Sequence, residues 1–163
     1  MISRRKMLAG LVSLAAGTFT ARQVHAESGD GVAQEGELRF PGDPTDHNVV
    51  YQFNKADQDY HNAVLFSVGE MLRKYNDNIT IVVTAFGPGL HILAKNPKRP
   101  VSDHIKQKVK SLADYGVKFH ACGNTMKSLG WTKDDLYDFV EVVQVGAADL
   151  LELQEQGYSY ISW

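Results

Sequence analysis

The chain has a single cysteine, Cys122, among its 163 residues. A disulfide needs two cysteines, so no disulfide can form within a monomer, and the domain must be held together by its core alone. Unpaired cysteines are often small buried apolar residues, but a thiolate is also a strong nucleophile. The sequence therefore leaves two roles open for this thiol, packing or sulfur chemistry.

The chain also lacks an apolar run of the roughly 20 residues that a membrane-spanning helix needs. The N-terminal run from Met7 to Phe19 is shorter, and it follows Arg4-Arg5 and precedes the small-residue junction Val24-His25-Ala26. This pattern predicts a twin-arginine export signal over residues 1–26, with cleavage after Ala26. We accordingly expect a periplasmic protein with no membrane attachment after cleavage, the alternatives being an uncleaved membrane anchor or a basic N-terminus that arose by chance.

No excess of positive charge is present. The full chain has 17 Lys and Arg against 19 Asp and Glu, and loss of residues 1–26 removes four basic residues and no acid. The remaining chain has 13 basic and 19 acidic residues, a net charge of −6. Nucleic acids and anionic lipids bind basic surfaces, so neither is an expected partner.

Nucleotide and metal motifs are missing as well. The sequence contains no G-x-G-x-x-G and no Walker pattern, and its histidines form no HxxxH or HExxH pair. His120 and Cys122 could supply two ligands, whereas a zinc site needs three or four protein ligands. We predict neither a cofactor nor a metal.

What is present is an alternation of strands and helices after an acidic, Gly- and Pro-containing lead-in at 27–46. Apolar runs predict strands at 47–54, 79–87, 117–122, 140–146 and 158–163. Helical spacing or caps predict helices that begin near 57, 102, 124 and 147, and 87–100 is predicted to be a turn and a loop. The expected fold is α/β, a single domain at 47–163 with a three-layer open sheet of about five mostly parallel strands and helices on both faces.

Functional loops of a parallel sheet follow the carboxyl ends of its strands, and Cys122 lies at such an end, where a helix follows. Backbone N–H groups at that point lower the pKa of a thiol. Gly123 leaves room for a second molecule, Asn124 or Thr125 can cap the helix, and His120 lies on the same strand face as Cys122. Gly87 and Gly89 are expected to line the same cleft. The predicted substrate-binding positions are therefore Gly87, Gly89, Gly123 and Asn124, with Cys122 and His120 as the catalytic candidates.

Two sequence blocks together resemble the DsrE/DsrF-like family, the sulfur-relay proteins of the YchN-like fold. They are GVKFHACGNTMKSLG and VEVVQVGAADLLELQEQGYSYISW, and the resemblance extends over residues 47–163. It implies a three-layer α/β domain that assembles into homo-oligomers, often trimers or hexamers. It also implies that Cys122 accepts sulfur as a persulfide and passes it on, with transient binding of a donor or acceptor protein or of a small sulfur compound.

Three hypotheses follow from the sequence. The first is a periplasmic sulfur carrier or sulfurtransferase-like protein that acts through Cys122. The second is a non-catalytic module for small-ligand binding or oligomeric assembly, in which Cys122 is structural. The third is a cysteine hydrolase that uses Cys122 with His120, for which no acid that could orient the histidine is visible in the sequence.

Overall fold

The structure is a computed structural model and describes residues 43–163, which form one compact unit. The predicted export signal at 1–26 and most of the lead-in at 27–46 lie outside the described residues. Within the described part, Thr45 and Asp46 are already attached to the domain. The Thr45 hydroxyl lies 2.6 Å from that of Thr80, and the Asp46 N–H donates to Asn78 Oδ1 at 2.9 Å.

Five strands form a single sheet, and they are β1 (His47–Phe53), β2 (Ile79–Ala85), β3 (Lys118–Cys122), β4 (Glu141–Val143) and β5 (Ser159–Ile161). Their order across the sheet is β4-β3-β2-β1-β5, and every neighbouring pair is parallel. The central strands β1 and β2 are apolar almost throughout because both of their faces are covered. The predicted parallel α/β sheet is confirmed.

Four α-helices cover the sheet, and they are α1 (Gln58–Lys74), α2 (Asp103–Asp114), α3 (Gly123–Leu129) and α4 (Gly146–Glu155). Side chains that accept from free N–H groups begin two of them, as predicted. Asp57 accepts from the Tyr60 N–H at 2.7 Å, and Ser102 accepts from the Ile105 N–H at 3.3 Å.

The side chains of the sheet separate the helices into two layers. On one face, β1 and β2 side chains such as Tyr51 and Ile81 pack with α1, α2 and Met126 of α3 in the larger apolar core. On the other face, Val50 and Val82 pack with Leu150 and Leu153 of α4. Helices therefore cover both faces, and β3 presents alternate residues to α4.

Three local predictions were wrong. The segment Gly87–Leu93 is a 3₁₀ helix and not a loop, because it buries Leu90, Ile92 and Leu93 in the core. The fourth strand is limited to Glu141–Val143, since α4 begins at Gly146. The sequence also predicts burial of Leu150, Leu151 and Leu153 in α4, but Leu151 is 57% exposed, because α4 contacts the sheet through Leu150 and Leu153 and Leu151 points away.

None of the helices found between residues 43 and 163 combines the length and the apolar character required to cross a bilayer.

Candidate functional site

Cys122 is the last residue of β3 and directly precedes α3. Its thiol is free, and the residue is 6% exposed. The next strand in the sheet, β4, ends beside it, since Cys122 is in register with Val143. The cysteine thus lies at the carboxyl edge of the sheet, where the sequence placed it, but below the surface and not on it.

Several hydrogen-bond donors lie around the Cys122 sulfur. Burial raises the pKa of the Cys122 thiol, but hydrogen bonds from the backbone N–H groups of Gly146, Thr125 and Asn124 and from the Thr125 hydroxyl together outweigh burial. The pKa of the thiol therefore lies below its ordinary value, because these donors stabilise the thiolate and not the neutral thiol. The N-terminal turns of two helices, α3 and α4, supply the donors.

Gly87 orients the Thr125 hydroxyl. Its backbone N–H donates to Thr125 Oγ1 at 3.0 Å, which occupies a lone pair of that oxygen and leaves the hydroxyl hydrogen for the sulfur. Gly87 holds this position with a φ of 51°, in the left-handed region that suits glycine. Gly87 therefore contributes to the site through Thr125, a residue that the sequence suggested only as a helix cap.

Gly146 is a site residue that the sequence reasoning missed. A Cβ at this position would lie 3.1 Å from the Cβ of Cys122 and 3.1 Å from Cδ1 of Phe86. Glycine at this position lets the start of α4 approach β3 closely, and a larger residue would have to displace Cys122 or Phe86. The G-A-A-D sequence at the helix start was the available signal, but the contact depends on how the sheet orders its strands.

At the other three predicted substrate-binding positions, Gly89, Gly123 and Asn124, the contacts involve the protein backbone. A Cβ on Gly89 would lie 2.4 Å from the Phe53 carbonyl oxygen, so this glycine permits close packing on the end of β1. A Cβ on Gly123 would lie 3.1 Å from the Val143 carbonyl oxygen, so the space beside Gly123 is occupied by β4. Asn124 reaches the sulfur through its backbone N–H, while its side chain is exposed.

His120 is buried two residues before Cys122, and its Nδ1 lies 2.9 and 3.0 Å from the two carboxylate oxygens of Asp149 on α4. The same carboxylate accepts from the Thr84 hydroxyl at 2.6 Å. On its other side, Nε2 of His120 lies 3.6 Å from Oε2 of Glu141. Asp149 is the orienting acid that was not visible in the sequence, since it lies 29 residues away on a different element.

Between residues 43 and 163, no group of three or more His, Cys, Asp or Glu side chains is placed to hold one metal ion. The chemistry that this site can perform with its own residues is nucleophilic attack by a thiolate, next to a carboxylate-bound imidazole.

A family model described as the DsrE/DsrF-like family matches residues 47–163. None of the curated proteins matches the chain.

Several solved structures are similar to the chain, including the following three. The protein of unknown function MTH1491 from Methanobacterium thermoautotrophicum is 26% identical with a TM-score of 0.65, over 72% of this chain and 100% of that chain. The ychN protein from E. coli is 16% identical with a TM-score of 0.57, over 72% of this chain and 99% of that chain. The conserved protein of unknown function BT1422 from Bacteroides thetaiotaomicron is 13% identical with a TM-score of 0.53, over 71% of this chain and 94% of that chain. The last two similarities are of fold alone.

Proposed function

The chain belongs to the DsrE/DsrF-like family, and from this premise we propose that it carries sulfur as a persulfide on Cys122 and passes that sulfur to an acceptor thiol. Family membership indicates a function of the sulfur-relay type. Persulfide transfer through Cys122 is the specific form of that function which the geometry supports best.

The reaction has two steps. The Cys122 thiolate attacks the outer sulfur of a donor persulfide, and the donor thiolate leaves as Cys122–S–SH forms. An acceptor thiolate then attacks the outer sulfur of Cys122–S–SH, which regenerates the Cys122 thiolate. The donor thiolate leaves in the first step and the Cys122 thiolate leaves in the second. One cysteine is therefore enough, because no second cysteine of the chain has to resolve an intermediate.

The observation that carries the proposal is the position of the thiol at the end of β3, where the first residues of α3 and α4 both lie against Cys122. The Gly146 N–H, the Thr125 N–H and hydroxyl, and the Asn124 N–H lower the pKa of Cys122 in spite of its burial. A lowered pKa makes the thiol a better leaving group in the second step and increases its ionised fraction in the first.

The competing role for Cys122 is packing, and its 6% exposure fits that role as well. A cysteine that only packs has apolar neighbours, and burial then raises its pKa. Around Cys122 the donors act in the opposite direction. Their presence favours a reactive thiol over a structural one.

The pairing of His120 with Asp149 is the one observation that favours a cysteine hydrolase, since it resembles the orienting half of a catalytic triad. In such an enzyme the histidine hydrogen-bonds the nucleophile, but within residues 43–163 the donors to the Cys122 sulfur are N–H groups and a hydroxyl. Sulfur transfer needs no such contact. A turnover assay with activated esters and amides distinguishes the two, and we expect no hydrolysis.

We also propose that the mature protein acts in the periplasm and as a homo-oligomer, a trimer or hexamer, that binds its sulfur donor or acceptor transiently. The export signal predicted at 1–26 supports the location. Support for self-association comes from large apolar side chains that remain exposed on and beside β4 and α4, namely Phe139, Val142, Val145 and Leu151. Light scattering of the mature protein measures the subunit number directly.

The test of the proposed function is intact-protein mass spectrometry after incubation with inorganic polysulfide. Wild-type protein should gain sulfur and lose it again when an acceptor thiol such as glutathione is added. Cys122→Ser should gain none, and Ser128→Ala, which removes a hydroxyl bound to the Asn124 carbonyl on the same helix, should behave as wild type. A wild-type protein that stays unmodified while its thiol alkylates only after unfolding would refute the proposal.

A further inference from the structure

A row of polar side chains crosses three adjacent strands one level below Cys122. Thr84 of β2 is in register with His120 of β3, and His120 is in register with Glu141 of β4. Asp149 of α4 bridges the first two from above, with 2.6 Å to the Thr84 hydroxyl and 2.9 Å to Nδ1 of His120. Thr84, His120 and Asp149 are buried, whereas the side chain of Glu141 is 70% exposed.

The row fixes the tautomer of His120. An ionised carboxylate can only accept hydrogen bonds, so Nδ1 of His120 must carry a hydrogen to bond Asp149. The Thr84 hydroxyl donates to the same carboxylate and holds it in place. The nitrogen left to gain or lose a proton is Nε2, on the side of the ring that faces Glu141 and the sheet edge.

His120 and Cys122 project from the same face of β3, about 7 Å apart along the strand. Each is held by the first turn of α4, Cys122 through the Gly146 N–H and His120 through Asp149. Within the described residues, His120 makes no hydrogen bond to the sulfur. The imidazole therefore lies beside the thiol on one face of the strand, and the first turn of α4 packs on both residues.

We propose that His120 is the general acid and base of transfer at Cys122, with Nε2 as the proton carrier and with Asp149 and Thr84 as positioning residues. This inference rests on the proposed function for its natural substrate, a persulfide of an alkyl thiol.

The protons balance over one cycle. The Cys122 thiolate attacks the outer sulfur of R–S–SH and forms Cys122–S–SH as the S–S bond of the donor breaks. The imidazolium of His120 protonates the leaving R–S⁻ to give R–SH. In the second half, neutral Nε2 removes the proton of an acceptor R′–SH, and R′–S⁻ attacks the outer sulfur of Cys122–S–SH. The products are R′–S–SH, the Cys122 thiolate and the imidazolium, so no oxidant or reductant is consumed.

The charged groups that face His120 fit this role. Asp149 from α4 lies at Nδ1 and Glu141 from β4 lies at Nε2, and Cys122 is on the same face of β3. Lys118, two residues earlier on β3, is exposed and lies on that face as well. The carboxylates on the two sides of the ring hold it in one orientation, with Nε2 directed toward β4.

The test compares two disulfides that differ in the basicity of the leaving thiolate. Oxidised glutathione releases an alkyl thiolate that needs a proton, whereas the aromatic disulfide dithiobis(nitrobenzoate) releases a stable anion that does not. The variant is His120→Asn, whose amide can still donate to Asp149 but carries no titrating nitrogen. We expect the rate with oxidised glutathione to fall about 10²- to 10⁴-fold, and the rate with the aromatic disulfide to change only a few-fold.

A pH profile and two further variants complete the test. Wild type should show a bell-shaped rate profile with oxidised glutathione, and His120→Asn should lose the alkaline limb. Asp149→Asn should lower the rate with oxidised glutathione more than the rate with the aromatic disulfide, because the imidazole loses the carboxylate that positions it. His104→Asn, a change at an exposed histidine of α2, should match wild type for both disulfides.

Equal losses of His120→Asn with both disulfides, or no loss with oxidised glutathione, would overturn the role of His120. These outcomes do not depend on persulfide loading, because both probes are disulfides. If wild type shows the disulfide pattern but never loads sulfur from polysulfide, the proposed function fails while the acid–base role of His120 stands.

Discussion

The change Thr125→Val tests whether hydrogen bonds keep Cys122 ionised. Valine has nearly the shape of threonine, but it removes one of the four hydrogen bonds on the sulfur and the acceptor of the Gly87 N–H. A hydrogen bond to a charged group contributes about 1.5–3 kcal/mol, and each 1.4 kcal/mol is about tenfold in an ionisation equilibrium. At a pH below the pKa, the thiolate fraction should therefore fall about 10- to 100-fold.

The thiolate absorbs in the far ultraviolet, so its fraction can be followed as a function of pH, with the spectrum of Cys122→Ala subtracted. Thr80→Val is the matched control, because it removes a hydroxyl that bonds Thr45 at the opposite end of β2. The titration of Cys122 in Thr80→Val should be that of wild type. If Thr125→Val titrates at the same pH as wild type, or lower, the hydrogen-bond account of the thiol is wrong.

Three further predictions concern stability. Burial is the main cause that lowers the pKa of His61 and of His91, and both have an Nδ1 that lacks a partner in the described structure. The unfolded chain therefore binds more protons below about pH 6.5, and the free energy of unfolding should fall as the pH drops below that value. Urea unfolding across this range should show the slope, and changing both histidines to glutamine should remove most of it. Gly89→Ala should cost about 1–3 kcal/mol, because the new Cβ would lie 2.4 Å from the Phe53 carbonyl oxygen, and an unchanged stability in urea would contradict that contact. Gly69→Ala in α1 meets open space and should stabilise by about 0.8–1 kcal/mol in the same assay; a net loss would mean that the helix has neighbours there.

Much of the fold followed from the sequence because each strand carries its own signal. The unbroken apolar run of β2 predicted a strand covered on both faces, and the caps at Asp57 and Ser102 predicted the starts of two helices. The 3₁₀ helix at Gly87–Leu93 could not be predicted, because Pro88 and two glycines suggest a turn and its burial depends on tertiary packing.

The site was predictable only in part. Alternation along β3 placed His120 and Cys122 on one face, and the strand-to-helix junction marked the thiol. Asp149 and Gly146 were missed because they meet β3 only once α4 packs across the sheet, and nothing in their local sequence specifies that contact. The topology of the sheet brings Asp149 and Gly146 to the site, whereas Cys122 could be identified from the local sequence pattern.

Sulfur transfer requires the one buried sulfur to be both ionised and reachable in the folded protein. The direct measurement is the second-order rate of Cys122 alkylation by iodoacetamide in native protein as a function of pH, beside the same chain unfolded in urea. We expect a native rate that reaches half its maximum at a lower pH than in the unfolded chain. A native protein that reacts only as fast as it unfolds, or whose thiol titrates above that of the unfolded chain, would contradict it.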